Sequence, residues 1–359
     1  MRVSILGAGA IAFGTAAYLA RAGHDPMLWS PSGRRTRALA GGARLVARNA
    51  VEGEFSPRVA ASCAEAVAQA EVVMLALPGY GHKAVLDAAA PHLRVGQPVI
   101  ISSHLSFGAL YLSRLLAARG VKAPIVAWGT TLTTGGQPSL TEAFVSTVRQ
   151  KVDMATLPHS YADEGLALCT ALFGDHFVAR EGLLAIALSN LNPQNHLGIA
   201  MLNLTRMERG EEWNQSQNVT PAVGRLIESL DAERLAIAEA FSLSVKTVRQ
   251  HFSLSFHVPE DSVSAMNQDM FRRGHSGLGP KTADSRYVLE DVPFGLVPTA
   301  RLGRLAGRPA PLHEAGIALF SAAYGRDFPA ENNLLPGLDL PERISIEALI
   351  DLTRGGYSK

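Results

Sequence analysis

A six-residue run near the start of the chain, Gly7-Ala8-Gly9-Ala10-Ile11-Ala12, restricts the fold more than any other feature. It follows the apolar stretch Met1-Arg2-Val3-Ser4-Ile5-Leu6 and opens a helical pattern, Ala10–Ala22, that ends before Gly23. Glycines at this spacing between a strand and a helix form the G-x-G-x-x-A variant of the dinucleotide-binding turn. Gly7 permits the tight turn, and Gly9 lets the backbone approach a pyrophosphate with no side chain in the way. Ala12 allows the helix to pack closely on the strand, while N–H groups at the helix start, Ala10 and Ile11 among them, face the anion.

The pattern that follows agrees with this start. Strands are expected at Val3–Leu6, Pro26–Trp29, Val59–Ala61, Val72–Leu77, Pro98–Ile101, Ile125–Ala127 and Lys151–Ala155. Helical patterns at Cys63–Ala70, His82–Ala89 and Leu110–Ala118 lie between several of them. Such alternation predicts a doubly wound, mostly parallel sheet covered on both faces. Arg44–Arg48 and Glu52–Glu54 read as an extra hairpin. After about Arg180 the strand signals fade. Thr220-Pro221 reads as an N-cap and first helical position, opening a helix to about Phe241 with Val223, Leu226, Ile227, Leu230, Leu235, Ile237 and Ala238 on its apolar face. Ser244, Pro259 with Asp261, and Pro311 read as further helix starts. The expected fold class is therefore α/β: a doubly wound Rossmann domain over residues 1–180, then an all-α domain over 181–359. The length fits two domains with separate cores.

Composition removes several classes. There are 33 Lys and Arg against 32 Asp and Glu, a net charge of +1, and 47% of residues are hydrophobic. That excludes a disordered chain, and with no Lys/Arg cluster it argues against a nucleic-acid footprint. Cys63 and Cys169 are too few for a disulfide framework or a thiolate metal site, and fit a reducing compartment. No apolar run reaches the roughly 18–20 residues of a membrane span. The N-terminus enters a strand without a signal-peptide pattern, so a cytoplasmic location is expected. A homodimer is compatible with all of this.

The end of the second strand distinguishes cofactors. NAD enzymes usually place Asp or Glu there to accept the ribose hydroxyls. Here the sequence is Leu28-Trp29-Ser30-Pro31-Ser32-Gly33-Arg34-Arg35, with no carboxylate at Ser30. Two hydroxyls, Ser30 and Ser32, and two guanidiniums, Arg34 and Arg35, suit a 2′-phosphate, which Arg holds through charge-assisted bonds. NADP(H) is expected in preference to NAD(H), which the glycine turn itself also accepts. Leu77-Pro78 ends a strand beside the switch-point crevice and is expected to border the nicotinamide half. His82 and His104 also follow strand ends, where either could touch ligand, although loop histidines are ordinarily solvated.

Hydride transfer leaves the protein to supply orientation and a proton. Ser189-Asn190-Leu191-Asn192-Pro193-Gln194-Asn195-His196 is the most polar patch in an apolar stretch, and Asn192-Pro193 reads as another helix start. Asn192, His196 and Asn203 share one helical face. Near a helix N-terminus the dipole disfavours imidazolium, so a histidine acting as an acid there needs a carboxylate partner. A second concentration of charge, Asp284–Gly295, follows the Gly-rich stretch Gly274–Gly279. Within it Arg286 suits bidentate carboxylate binding, and Glu290 or Asp291 suits pairing with a histidine.

These residues together resemble a known family. Asn192-x-x-x-His196 with Asn203, then Thr220-Pro221-x-Val223 with Leu230-Asp231-x-Glu233-Arg234, then Arg286-Tyr287-x-x-Glu290-Asp291-Val292-Pro293-x-Gly295-Leu296 are similar, in order, to segments of the octopine/nopaline (opine) dehydrogenases. The resemblance implies a Rossmann domain joined to a helical domain, with an active site in the cleft between them. It implies reductive condensation of an amino acid with a 2-keto acid by NAD(P)H. His196 would be the acid/base, Asp291 its partner, Arg286 a ligand for a substrate carboxylate, and Asn192 and Asn203 pocket residues. Leu197, Ile199 and Leu202 are expected in the core. The nearest rival is a ketopantoate reductase or glycerol-3-phosphate dehydrogenase type of reductase, which usually relies on a catalytic lysine. Lys246 and Lys281, the lysines available between Lys151 and Lys359, sit in no such motif. A dinucleotide-binding sensor without turnover would leave His196, Arg286 and Asp291 without a purpose.

Overall fold

The computed structural model describes residues 1–274, 277–341 and 344–358. His275 and Ser276, within the Gly-rich stretch noted above, lie outside the described residues. The chain divides into two compact units, one made of Met1–Ile186 with Glu347–Lys359 and the other of Ala187–Ile346.

The first unit holds twelve strands in chain order: β1 Arg2–Leu6, β2 Asp25–Trp29, β3 Leu45–Asn49, β4 Gly53–Phe55, β5 Arg58–Val59, β6 Val72–Leu75, β7 Val99–Ile101, β8 Ile125–Trp128, β9 Thr133–Ser139, β10 Glu142–Val148, β11 Val152–Leu157 and β12 Phe177–Ala179. Eight of them form the main sheet in the order β12-β11-β8-β7-β6-β1-β2-β5. All its neighbours run parallel except β11 against β8. The order reverses between β1 and β6, so the chain leaves opposite sides of the sheet there. That gap is where a doubly wound sheet accepts a nucleotide.

The four remaining strands form a second sheet, β4-β3-β10-β9. The hairpin expected from Arg44–Arg48 and Glu52–Glu54 is present as antiparallel β3 and β4, but it is half of this sheet and not a lone excursion. Parallel pairing of β10 with β3 joins it to the β9–β10 hairpin. The second sheet packs against the helix Ala10–Arg21, where a Cβ on Gly14 would come within 3.3 Å of Val145 and 3.5 Å of Thr133. Ala12, Phe13, Ala16 and Ala17 of that helix share one buried cluster with Leu45, Ala47, Ala143 and Val145. The helix that opens at the glycine turn is thus covered by strands on the side away from the main sheet.

The last helix, Ile346–Gly355, belongs to this unit, although the sequence division placed everything after residue 180 with the helical half. Leu349 is buried, Gly182 lies against Thr353 and Arg354, and Tyr357 N–H donates to Ser113 Oγ at 2.9 Å. No local pattern in the chain encodes so distant a return.

The second unit is helical, with its core around Leu197, Ile227, Leu230, Val292, Phe320 and Phe328. Thr220 and Pro221 open the helix Pro221–Ala240, although the Thr220 hydroxyl makes no cap bond. The start expected at Ser244 falls instead at Thr247, whose side chain forms a reciprocal capping box with Gln250. Pro311 opens Pro311–Tyr324, and Ser262, next to Asp261, caps Val263–Arg272. Among the described residues no helix is long and apolar enough to cross a membrane.

Candidate active site

The glycine turn is built as its spacing requires. Gly7 has φ +149°, and a Cβ there would stand 2.1 Å from Ala76 O, so only glycine fits. At Gly9 the space is open, with Arg35 Nη1 the nearest atom at 3.7 Å from an ideal Cβ. The helix from Ala10 has no side-chain cap and no acidic residue in its first turn, which leaves its start electropositive. After β2, Ser30–Thr36 forms a turned loop, with Gly33 N–H donating to Ser30 O and Thr36 N–H to Gly33 O. Ser30 Oγ is buried without a hydrogen-bond partner among the described residues, while Ser32, Arg34 and Arg35 are exposed. A bare glycine backbone, an uncapped helix start, an orphaned hydroxyl and two guanidiniums fit the adenosine and phosphate half of NAD(P).

Leu77 and Pro78 follow β6 at the switch point and lead into the helix Gly79–Ala89. His82 and His104 depart from expectation, because both are buried and not solvated. His82 Nε2 lies 3.0 Å from Leu77 O. Neither ring nitrogen of His104 has a hydrogen-bond partner among the described residues. Burial, with a lesser contribution from His82, pushes the His104 pKa down to about 3, so its imidazole is neutral at ordinary pH.

In the second unit, close packing of one helix organises the site. Asn192–Glu208 carries His196 in its second turn. The helix begins at Asn192, one residue earlier than an Asn192 cap would place it, and Asn190 Oδ1 accepts from Asn192 N–H at 3.1 Å. Missing side chains let neighbours approach it. A Cβ on Gly295 would meet Pro193 at 2.3 Å, one on Gly198 would meet Ile227 at 2.6 Å, and one on Gly316 would meet Leu197 at 2.3 Å. The Gly295 contact seats the segment 286–296 against the first turn of the His196 helix.

Through that seat His196 Nδ1 reaches Asp291 Oδ2 at 2.6 Å. The side chains are 19% and 10% exposed, enough shelter to strengthen the pair while leaving the imidazole accessible. Asp291 takes Nδ1, so Nε2 is the nitrogen left for proton exchange. The Tyr287 ring stacks on the imidazole, with centroids 3.5 Å apart and planes within 8°. Its hydroxyl donates to Gln215. Burial first, then the Asp291 charge, pushes the Tyr287 pKa up to about 12, against the opposing pull of Arg286, so the ring stays a neutral platform. Asp291 stands just before a π-helical turn, Val292–Leu296, closed by Val297 N–H to Val292 O. Pro298 cannot donate to the 294 carbonyl, which accounts for a wider turn here.

The guanidinium and the two asparagines are placed differently. Arg286 Nε donates to Glu290, which is buried, while the Arg286 side chain is 68% exposed. Asn192 is exposed at the helix start. Asn203 is buried and donates to Ile199 O of its own helix at 2.9 Å, where the backbone departs from helical angles. It therefore braces a kink, a use distinct from the pocket role expected of it. Leu197 and Ile199 are in the core as expected, but Leu202 is 50% exposed. Tyr287 and Gln215 were given no site role from the sequence, although Tyr287 stands inside the segment that supplied Asp291, and Glu290, offered with Asp291 as the histidine's partner, pairs with Arg286 instead.

The Asp231-x-Glu233-Arg234 segment turns out to be structural. Arg234 is wholly buried, pairs with Asp231, and donates to Leu188 O and Lys246 O. Glu233 Oε2 lies 2.7 Å from His313 Nδ1, and Gln194 Nε2 reaches His313 Nε2 at 3.1 Å.

Comparison with known proteins identifies the family. Residues 179–324 match the family described as NAD/NADP octopine/nopaline dehydrogenase, alpha-helical domain, and residues 3–103 match ketopantoate reductase PanE/ApbA. The opine dehydrogenase of Arthrobacter sp. (strain 1C) is 31% identical over 344 residues, covering 94% of each chain. The chain belongs to the opine dehydrogenase family. It is an NAD(P)-dependent oxidoreductase with a Rossmann-type domain and a helical domain. Octopine dehydrogenase solved with NADH and L-arginine has the same fold, with TM-score 0.81, 16% identity and full coverage of both chains. Yersinopine dehydrogenase with bound NADP+ follows at TM-score 0.71 and 16% identity, covering 99% of this chain and 98% of that one. The ketopantoate reductase of Ralstonia eutropha JMP134 is more distant, at TM-score 0.60 over 93% of this chain and 100% of that one.

Proposed function

We propose that this member of the opine dehydrogenase family joins an amino acid to a 2-keto acid and reduces the resulting imine, with NADPH preferred over NADH. The observation that carries the reading is the His196–Asp291 contact of 2.6 Å, held under the Tyr287 ring in the domain that matches the family's helical domain. His196 Nε2 accepts the proton that the amine loses as it adds to the keto carbonyl. The same nitrogen passes that proton to the alkoxide oxygen to give the carbinolamine, then relays a second proton from solvent to its hydroxyl, which leaves as water and leaves an iminium carbon for the hydride. Asp291 stabilises imidazolium between the two transfers and keeps Nδ1 protonated. Bound NAD(P)H supplies the hydride for the imine carbon. Arg286, oriented by Glu290, takes a carboxylate shared by both substrate classes. The exposed Asn192 lies one turn before His196 and borders the same substrate, and Asn203 keeps the helix bend that sets their separation. NADPH is favoured because the loop after β2 offers hydroxyls and guanidiniums and no carboxylate.

The test is NADPH oxidation with a keto acid alone and with a panel of amino acids added. Strict dependence on the amine supports condensation. Equal rates without it would replace this reading with a simple keto-acid reductase, the chemistry of the relative matched by residues 3–103.

A further inference from the structure

Gln137 lies on β9 of the second sheet, yet its side chain reaches the glycine turn. Its Oε1 accepts a hydrogen bond from Arg35 Nη1 at 3.2 Å, and the same Nη1 stands 3.7 Å from where a Gly9 Cβ would be. Only an oxygen can accept from a guanidinium, so chemistry fixes the orientation of this amide and makes Nε2 its donor end. That Nε2 is buried and has no partner among the described residues, and Ser30 Oγ in the Arg35 loop is orphaned in the same way. Buried polar groups are satisfied almost everywhere in proteins, by a ligand if not by protein. Two orphaned groups beside a guanidinium and a bare glycine backbone are what an incoming phosphate dianion would satisfy.

We propose that Gln137 is a cofactor-selecting residue: it pins Arg35 above Gly9, and its own amide N–H joins the guanidinium in holding the 2′-phosphate of NADPH. The inference rests on the NADPH preference proposed above. Arg35 is an exposed, flexible side chain, and an unpinned arginine pays rotamer entropy each time it orders around an anion. Pinning it beforehand removes that cost for a ligand with a phosphate in reach and does little for one with a ribose diol. Packing of the second sheet on the Ala10–Arg21 helix is what delivers Gln137 to this place.

The experiment compares the intact protein with Gln137→Ala and Gln137→Glu. Binding of NADPH and NADH is followed by nucleotide fluorescence, and of adenosine 2′,5′-bisphosphate and adenosine 5′-monophosphate by calorimetry. Gln137→Ala should weaken the two 2′-phosphorylated ligands about tenfold, the scale of one charge-assisted contact, and leave the other two nearly unchanged. Gln137→Glu retains a partner for Arg35 but sets a negative charge against the phosphate, so it should discriminate against NADPH still more strongly. Equal weakening of all four ligands would mean that Gln137 serves the pyrophosphate or the fold, and would overturn the proposal. So would unchanged NADPH binding in Gln137→Ala by a protein that itself prefers the 2′-phosphate. A wild-type protein that binds both adenosine ligands equally would instead remove the NADPH preference, and this inference with it.

Discussion

Two histidine–carboxylate pairs stand on the helical unit with nearly the same geometry and opposite surroundings. His196 meets Asp291 at 2.6 Å and stays partly exposed, whereas His313 meets Glu233 at 2.7 Å and is completely buried. The same helix serves both, since His196 and Gln194 are two residues apart and Gln194 touches His313. Glu233 also accepts from the N–H groups of Leu312 and His313, so the second pair ties the start of one helix to the middle of another. Pairing alone therefore does not mark an acid/base. What separates the two is whether the second ring nitrogen is open to a reacting molecule or spent on the fold.

The largest expected effect comes from His196. His196→Ala should lower kcat by about 100- to 10,000-fold, the usual worth of positioned acid–base help, while cofactor binding measured by fluorescence is retained. Near-normal turnover would break the comparison, since the accessible pair would then be no more functional than the buried one. Asp291→Asn should lose a large part of the same factor. The double variant should be no slower than His196→Ala alone, because the two act as a unit; losses that add would assign Asp291 a separate task.

His313→Ala should do the reverse. Its removal strands Glu233 and Gln194 inside the fold and should cost on the order of 3 kcal/mol of stability, read from urea midpoints. Turnover per folded molecule should change little. A kcat loss matching that of His196→Ala, without a stability loss, would show that burial is no guide to which pair performs chemistry.

The smallest effect concerns His104, a buried imidazole whose ring nitrogens have no hydrogen-bond partner among the described residues. Its pKa falls from the ordinary 6.5 to about 3 in the fold, so the unfolded chain binds the extra proton between those values. Its contribution is fully present above pH 6.5 and is lost as the pH drops toward 3. His104→Gln should flatten the decline in urea midpoint across that window. Glu233, whose pKa burial raises but whose hydrogen bonds from His313 and two backbone N–H groups bring to a net lowering, should add its own loss below about pH 4.5. An unchanged slope in His104→Gln would mean that the ring finds solvent or a partner when charged.

Local chemistry made much of this legible. The glycine turn, seven strands of the main sheet, the hairpin and the long helices follow from spacing and periodicity, each set within a few neighbouring residues. The β9 strand, Thr133–Ser139, carries Gly135, Gly136 and Pro138, residue types that strands disfavour, so its sequence gives no strand signal. Gly135 is instead where the Phe144 carbonyl approaches so closely that a Cβ would stand 1.8 Å from it. Leu202 looked apolar enough for the core, but the kink at Asn203 falls beside it and the side chain stays exposed.

Residue types and their order along the chain determined that a nucleotide turn, a histidine near a helix start and a choice of acidic partners exist here, since these are properties of short segments. Which carboxylate meets which histidine, that Glu290 pairs with Arg286 Nε, and that Gln137 reaches Arg35 were decided only by folding. Those pairings join positions 95 and 102 residues apart, or turn on one residue's choice of side, and distances of that kind are set by packing, which no local pattern carries.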